Sequence, residues 1–168
     1  MKLLLFLTTL GFLNLTGNET LTTEERQAAV KQMEESRQTL LSELNGLSDS
    51  QVKFKPEEGK WSIAEVAEHI SMAETGIAGI IQQTLKTSVD SSRRKEIKVS
   101  DQQIRKILTN RNGKVQSPEV LKPTGKFADI QQATGYFINA RNKNIEFIKN
   151  TQENLRQRYW QHPATGVI

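Results

Sequence analysis

The chain has 168 residues, the size of one domain, with 23 Lys and Arg against 19 Asp and Glu, two His and no Cys. The lack of cysteine excludes a disulfide scaffold, a thiolate zinc site and a cysteine nucleophile, so any metal must be held by His, Asp or Glu.

Lys2, an apolar run from Leu3 to Leu15 and then small polar residues form the pattern of a secretory signal peptide over residues 1–17, with Gly17 as a passable cleavage position. The run is too short for a stable membrane span, which needs about 20 apolar residues as a helix. No Cys follows it, which excludes a lipoprotein anchor. The expected location is periplasmic or extracellular. The alternative is a cytoplasmic protein whose first segment stays uncleaved as a helix that packs on the body or anchors loosely to a membrane.

Residues 18–168 show strong helix signals and almost no strand signal. Thr22 and Glu25 have capping-box spacing, and Val30, Met33, Leu40, Leu41 and Leu44 lie on one stripe that Gly46 ends, which predicts a first long helix over about 23–45. Ser62 and Glu65 repeat the box, and Ile63, Val66, Ile70, Ala73, Ile77, Ile80 and Ile81 predict a second over about 62–86. A third is expected over about 129–155, capped by Asp129 and apolar at Ile130, Ala133, Phe137, Ile145 and Ile148, with Gly135 as its weak point.

The link from Gly46 to Trp61 has about sixteen residues, with Pro56 and Gly59 in it, whereas Thr87 to Ala128 spans about forty, with a short amphipathic helix expected at about 101–108 and an irregular stretch around Pro118, Pro123 and Gly125. A connection that long crosses the end of a bundle and lets the second and third helices run parallel. The expected class is therefore an all-α bundle with one long crossover, an architecture normally completed by a fourth helix. No fourth helix is visible before Ile168.

Charge is concentrated in the crossover. Lys86 to Lys126 holds eleven basic and four acidic residues, a local +7 against −4 for the rest after the leader. Such a stretch attracts phosphates or anionic lipid heads. It has no aromatic residue for base stacking and no nucleic-acid motif, so nucleic acid is not an expected partner and a solvated loop is the plain reading. The chain also carries no glycine-rich phosphate loop, no G-x-S-x-G elbow and no H-E-x-x-H.

The segment LSDSQVKFKPEEGKWSIAEVAEHI, with RNGKVQSPEVLKPTGKF, Phe137 to Arg141 and LRQRYWQHPATG, resembles the DinB-like superfamily, and its exported members in particular. The resemblance covers essentially everything after the leader. It implies a four-helix bundle in up-down-down-up order with a divalent metal held by three histidines, the first of them two turns into the second helix, where this chain has His69 after Trp61 and Ser62. The other two would come from an H-x-x-x-H pair on the fourth helix. Residues four apart share a helix face, and three protein ligands leave a position open for water or substrate. Zinc, nickel and iron are equally compatible with it.

Beside His69 the chain has only His162, in a His-Pro-x-x-Gly turn that makes it a weak alternative ligand, so the other two histidines are expected beyond Ile168. A lone His beside Val66, Ile70 and Ala73 also reads as a hydrogen-bonded core residue. Glu65 is best explained by its capping box, Glu68 and Glu74 by a solvated face, and Trp61 as a core anchor. Arg141 and Asn144 either line a polar pocket or form a helix edge with a buried Arg stem. The resemblance implies a metal-dependent hydrolase or thiol-dependent transferase acting on a small molecule, impaired in a chain lacking its last helix. The alternative is a non-catalytic exported helical module that binds a partner or a second copy of itself. Three amphipathic helices without a fourth expose an apolar groove, so a homodimer or a poorly soluble product is expected.

Overall fold

The computed structural model of the chain describes residues 20–110, 112, 116–162 and 166–168, and the expected leader at 1–17 lies outside them. Its helices are α1 (Thr23–Leu44), α2 (Asp49–Lys53), α3 (Ile63–Thr84), α4 (Asp101–Thr109) and α5 (Ile130–Asn150). Short 3₁₀ segments lie at Ser91–Glu96, two turns, and at Glu119–Leu121, one turn, and a two-residue antiparallel ladder pairs β1 (Gln161–His162) with β2 (Gly166–Val167).

Local chemistry starts each helix. Reciprocal capping boxes join Thr22 to Glu25, Ser48 to Gln51, Ser62 to Glu65 and Ser100 to Gln103, each satisfying backbone N–H groups the first turn leaves orphaned. At α5 the Asp129 carboxylate accepts from the Gln132 amide at 2.8 Å. The chain leaves α1 through Gly46, whose φ of 76° lies in the left-handed region.

Contacts fix the direction of the long helices. Ser71 meets Ala133, and Glu74 meets Arg141 and Asn144, so α3 and α5 run parallel. Arg26 meets Ile148 while Met33 meets Arg141, so α1 runs antiparallel to α5. The long helices thus follow an up-down-down order, with residues 85–129 crossing back along the bundle. At one end Val52, Ala67, Ile130 and Ala133 form a buried cluster flanked by Leu44, Leu47, Ala64 and Phe127. Farther along, Phe137 and Ile145 are buried.

Three expectations need correction. First, α3 does not bury its aliphatic stripe. Its fully buried residues are Ala67, Glu68 and Ser71, while Val66 is 41% and Ile77 58% exposed and Ile63 and Ile81 are also exposed. The Ser71 hydroxyl reaches the Ala133 carbonyl at 3.0 Å, an approach of side chain to facing backbone that only small residues allow. At 100° per residue the aliphatic ridge lies about a quarter turn away from that seam. Second, no residue of α1 is fully buried, because α1 packs mainly on α5 and leaves its stripe half-covered. Third, α5 stops at Asn150 and does not continue to 155. The Arg26 guanidinium donates to the carbonyls of Ile148 and Thr151, and the Thr151 hydroxyl accepts from the Glu153 amide, so the last turn is closed from outside the helix.

Gly135 sits inside α5 with ordinary helical backbone, and a Cβ there would meet no atom within 4 Å. Gly135→Ala is expected to stabilise the protein by about 0.5–1 kcal/mol, because it removes unfolded-state freedom without adding a clash. Urea unfolding of the two proteins measures it.

Candidate functional site

Two neighbouring side chains of α3 hold the returning end of the crossover. The His69 Nδ1 lies 2.8 Å from the Leu121 carbonyl oxygen. A carbonyl only accepts, so Nδ1 carries the proton and Nε2 keeps its lone pair in the neutral ring. The ring is half-buried, and the Trp61 indole lies against it, tilted, at 5.1 Å between centroids. Trp61 is 36% exposed, so it covers His69 from the solvent side and is not the core anchor that was expected.

Glu68, expected on a solvated face, is only 6% exposed. Its carboxylate accepts from the amide of Thr124 at 2.8 Å, of Gly125 at 3.1 Å and of Lys126 at 3.3 Å, and from the Thr124 hydroxyl at 3.2 Å. Burial is the largest single influence on its acidity and pushes the pKa up. The four hydrogen bonds together outweigh it and hold the group below the ordinary glutamate value. Gly125 adopts φ 75°, which turns successive amides towards one carboxylate. Glu65 lies nearer the start of the same helix, where the ammonium of Lys55 at 2.8 Å and the Ser62 amide hold its pKa below the ordinary glutamate value, so it serves the cap and an ion pair.

A second polar group stands nearer the middle of the bundle. The Glu74 carboxylate accepts from Arg141 Nε at 2.9 Å, Arg141 Nη2 at 2.7 Å and Asn144 Nδ2 at 2.6 Å. Arg141 also donates to the Met33 carbonyl and the Ser36 hydroxyl and lies over the Phe137 ring at 5.0 Å. The Glu74 and Arg141 side chains are 12% and 14% exposed, so Glu74 is not the solvated residue it was expected to be. Together with Met33, Ile77, Ile81 and Phe147 the three polar residues line a 270 Å³ cleft between the long helices. Arg141 and Asn144 therefore share a pocket; Trp61 stands apart from it, against His69. One sequence signal could have identified Glu74: an acid in register with Ile70, Ile77 and Ile81 interrupts an otherwise apolar stripe.

His162 lies in β1, paired with Gly166, its ring edge-on to Trp160 at 5.3 Å. Among the described residues no three His, Asp or Glu side chains come together in a way that could hold a metal ion. The His69 ring has one nitrogen fixed on a backbone carbonyl, which is also how metal-binding imidazoles are aimed. The described residues do not make up a metal centre.

The sequence model of the DinB superfamily matches residues 32–167. The Bacillus subtilis protein YuaE, itself uncharacterised, is 29% identical over 130 residues, 77% of this chain and 76% of YuaE. The solved structure of YfiT from the same bacterium, described as a probable metal-dependent hydrolase with an unusual four-helix bundle topology, superposes with a TM-score of 0.57 at 14% identity, covering 89% of this chain and 75% of YfiT. That likeness is one of fold.

Two outcomes follow from the geometry. Glu68→Gln is expected to cost about 2 kcal/mol at neutral pH, since buried amides lose an ionised acceptor. Glu68 has a depressed pKa in the folded protein, so its contribution is present above the unfolded-state value near 4.3 and fades as pH falls through the folded one. The stability gap between wild type and Glu68→Gln should accordingly narrow on acidification in pH-resolved melts. Arg141→Met strands Glu74 and should cost about 3–5 kcal/mol, while Glu74→Leu combined with Arg141→Met should recover most of the loss. A double-mutant cycle by urea unfolding checks this.

Proposed function

The chain belongs to the DinB superfamily, and on that premise we propose that it serves a metal-dependent reaction on a small substrate, either hydrolysis, the activity ascribed to YfiT, or transfer to a thiol, with His69 as its metal-facing residue. The observation that carries this reading is the His69 ring itself. Its Nδ1 is fixed on the Leu121 carbonyl, which points the basic Nε2 away from that bond. Trp61 covers one side of the ring and limits the water that reaches it. No step of such a reaction is assigned to the described residues, because His69 stands there without a second and third ligand. The same proposal locates the protein outside the cytoplasm, on the strength of Lys2 and the apolar run to Leu15. Among the described residues no helix is long and apolar enough to cross a membrane.

A second reading has its own support. The exposed ridge of Ile63, Val66, Ile77 and Ile81 along α3 is an apolar surface of the sort that associating proteins cover, and it favours a helical module that pairs with a second copy.

One experiment separates the two. Purified protein and His69→Ala are equilibrated with zinc, nickel or iron(II) in turn, desalted and measured by elemental mass spectrometry, with sedimentation velocity on the same samples. The metal reading expects stoichiometric uptake of one of these ions by the wild type and its loss in His69→Ala. Absence of uptake in both proteins, accompanied by a concentration-dependent dimer, would sink it and establish the module.

A further inference from the structure

The crossover carries the chain's positive charge on a platform fixed to the body. The Asp90 amide donates to the Gln157 carbonyl at 2.9 Å, Arg158 Nε donates to the Thr87 carbonyl at 3.1 Å, and Arg93 lies over the Tyr159 ring at 5.4 Å. Arg93 is occupied further by Glu96 at 2.9 Å. Its neighbours are not so engaged. Arg94, Lys95, Lys98, Arg105 and Lys106 are exposed, and among the described residues none has a carboxylate within 4 Å. A flexible solvated loop would let these cations spread apart; here Arg94 and Lys95 lie in the 3₁₀ segment Ser91–Glu96, Arg105 and Lys106 lie in α4, and Lys98 lies in the four-residue link between the two.

α4 is the second observation. It is amphipathic, with Ile104 and Ile107 three residues apart on one face, yet it packs extensively on none of the long helices. Ile104 is half-buried and Ile107 is 47% exposed, and Val89, on the same crossover, is 49% exposed. A basic helix that offers branched aliphatic side chains to the outside has the composition of an interfacial helix, which lies in the headgroup layer and sinks its apolar edge into the acyl boundary.

We propose that residues 87–109 dock the protein on an anionic lipid bilayer, with Arg94, Lys95, Lys98 and Arg105 on the headgroup phosphates and Ile107 entering the acyl boundary. Charge complementarity selects this occupant. The crossover that contains this segment, residues 86–126, carries a net +7, while the rest of the chain after the leader carries a net −4, which keeps the other faces off the same surface. Nucleic acid offers equal charge but no use for Ile107, and residues 86–126 contain no aromatic side chain on which a base would stack. The inference does not rest on the metal reading; a protein with no metal at all would dock the same way.

The test is co-sedimentation of the purified chain with vesicles of phosphatidylcholine alone and of phosphatidylcholine mixed with phosphatidylglycerol. Binding is expected only to the mixed vesicles, and it should fall as added salt shortens the screening length. Each surface cation is worth about fivefold in membrane affinity, so Lys98→Gln with Arg105→Gln should weaken binding by roughly tenfold or more. Lys31→Gln with Lys143→Gln removes the same charge from other helices and should leave binding unchanged. Ile107→Ser should weaken it with all charges intact. Circular dichroism of each variant ensures that the fold is kept. Equal binding to both vesicle types, no binding to either, an equal loss in the Lys31 and Lys143 control, or retention of a single-stranded oligonucleotide in place of the mixed vesicles would each overturn the proposal.

Discussion

The grip of α3 on the returning crossover is the constraint on which the rest of the structure turns. Parallel packing of α3 and α5 requires the chain to travel back along the bundle, and a long connection has no intrinsic reason to take one path. Glu68 and His69 supply that reason. One carboxylate gathers the amides of Thr124, Gly125 and Lys126, and the adjacent imidazole takes the Leu121 carbonyl, so the path is set a few residues before Asp129 starts α5. With that point fixed, Ile130 and Ala133 fall against Ala67 and Val52, and the register of α5 on α3 carries Arg141 to Glu74.

The seam between these helices explains why α3 has two unlike faces. Burying Ala67 and Ser71 lets the backbone of α5 come close enough to share the Ser71 hydroxyl, and the gain comes from many close contacts, not from bulk. The larger aliphatic residues are displaced to the adjoining face, where Ile77 and Ile81 border the cleft that Glu74, Arg141 and Asn144 floor. The polar floor is knit together: both Glu74 oxygens accept, and Arg141 divides its donors among Glu74, Met33 and Ser36. The group ties three helices together, and removing either Glu74 or Arg141 leaves the other as a buried charge.

What was legible in the sequence was local. The boxes at Thr22 and Ser62, the cap at Asp129 and the buried positions Ile130, Ala133, Phe137 and Ile145 depend on spacings of three or four residues, and there the sequence carries the physics directly. The superfamily and its all-α bundle were legible through the Trp61 to His69 segment and the later matches. The small helix at Asp49–Lys53 has a Ser-Gln box of the same form, but five residues are too few to show a stripe. Long-range pairings were not legible. Nothing near Glu68 in the chain indicates that its partners lie 56 to 58 residues away, and the end of α5 is set by Arg26 from another helix. The burial of α3 misled for a related reason, since hydropathy favours the Ile face while close approach of α5 favours the Ala and Ser face.

The position of His69 joins the architecture to the chemistry. The ring that orders the crossover through Nδ1 leaves Nε2 outside that bond, so under the proposed metal reading the structural role and the ligand role would share one orientation without competing for an atom. By linkage, any ligand that prefers Nε2 in this orientation must also favour the bond to Leu121, and whatever steadies residues 119–126 must raise affinity for that ligand by the same factor. Glu68 is the neighbour that steadies them. Its ionised carboxylate thereby acts on the imidazole without touching it, through a backbone segment that both side chains hold. A histidine conserving only its ring chemistry could stand anywhere on the helix face; one that must also carry the crossover is confined to the turn beside Glu68, under Trp61 and opposite Leu121.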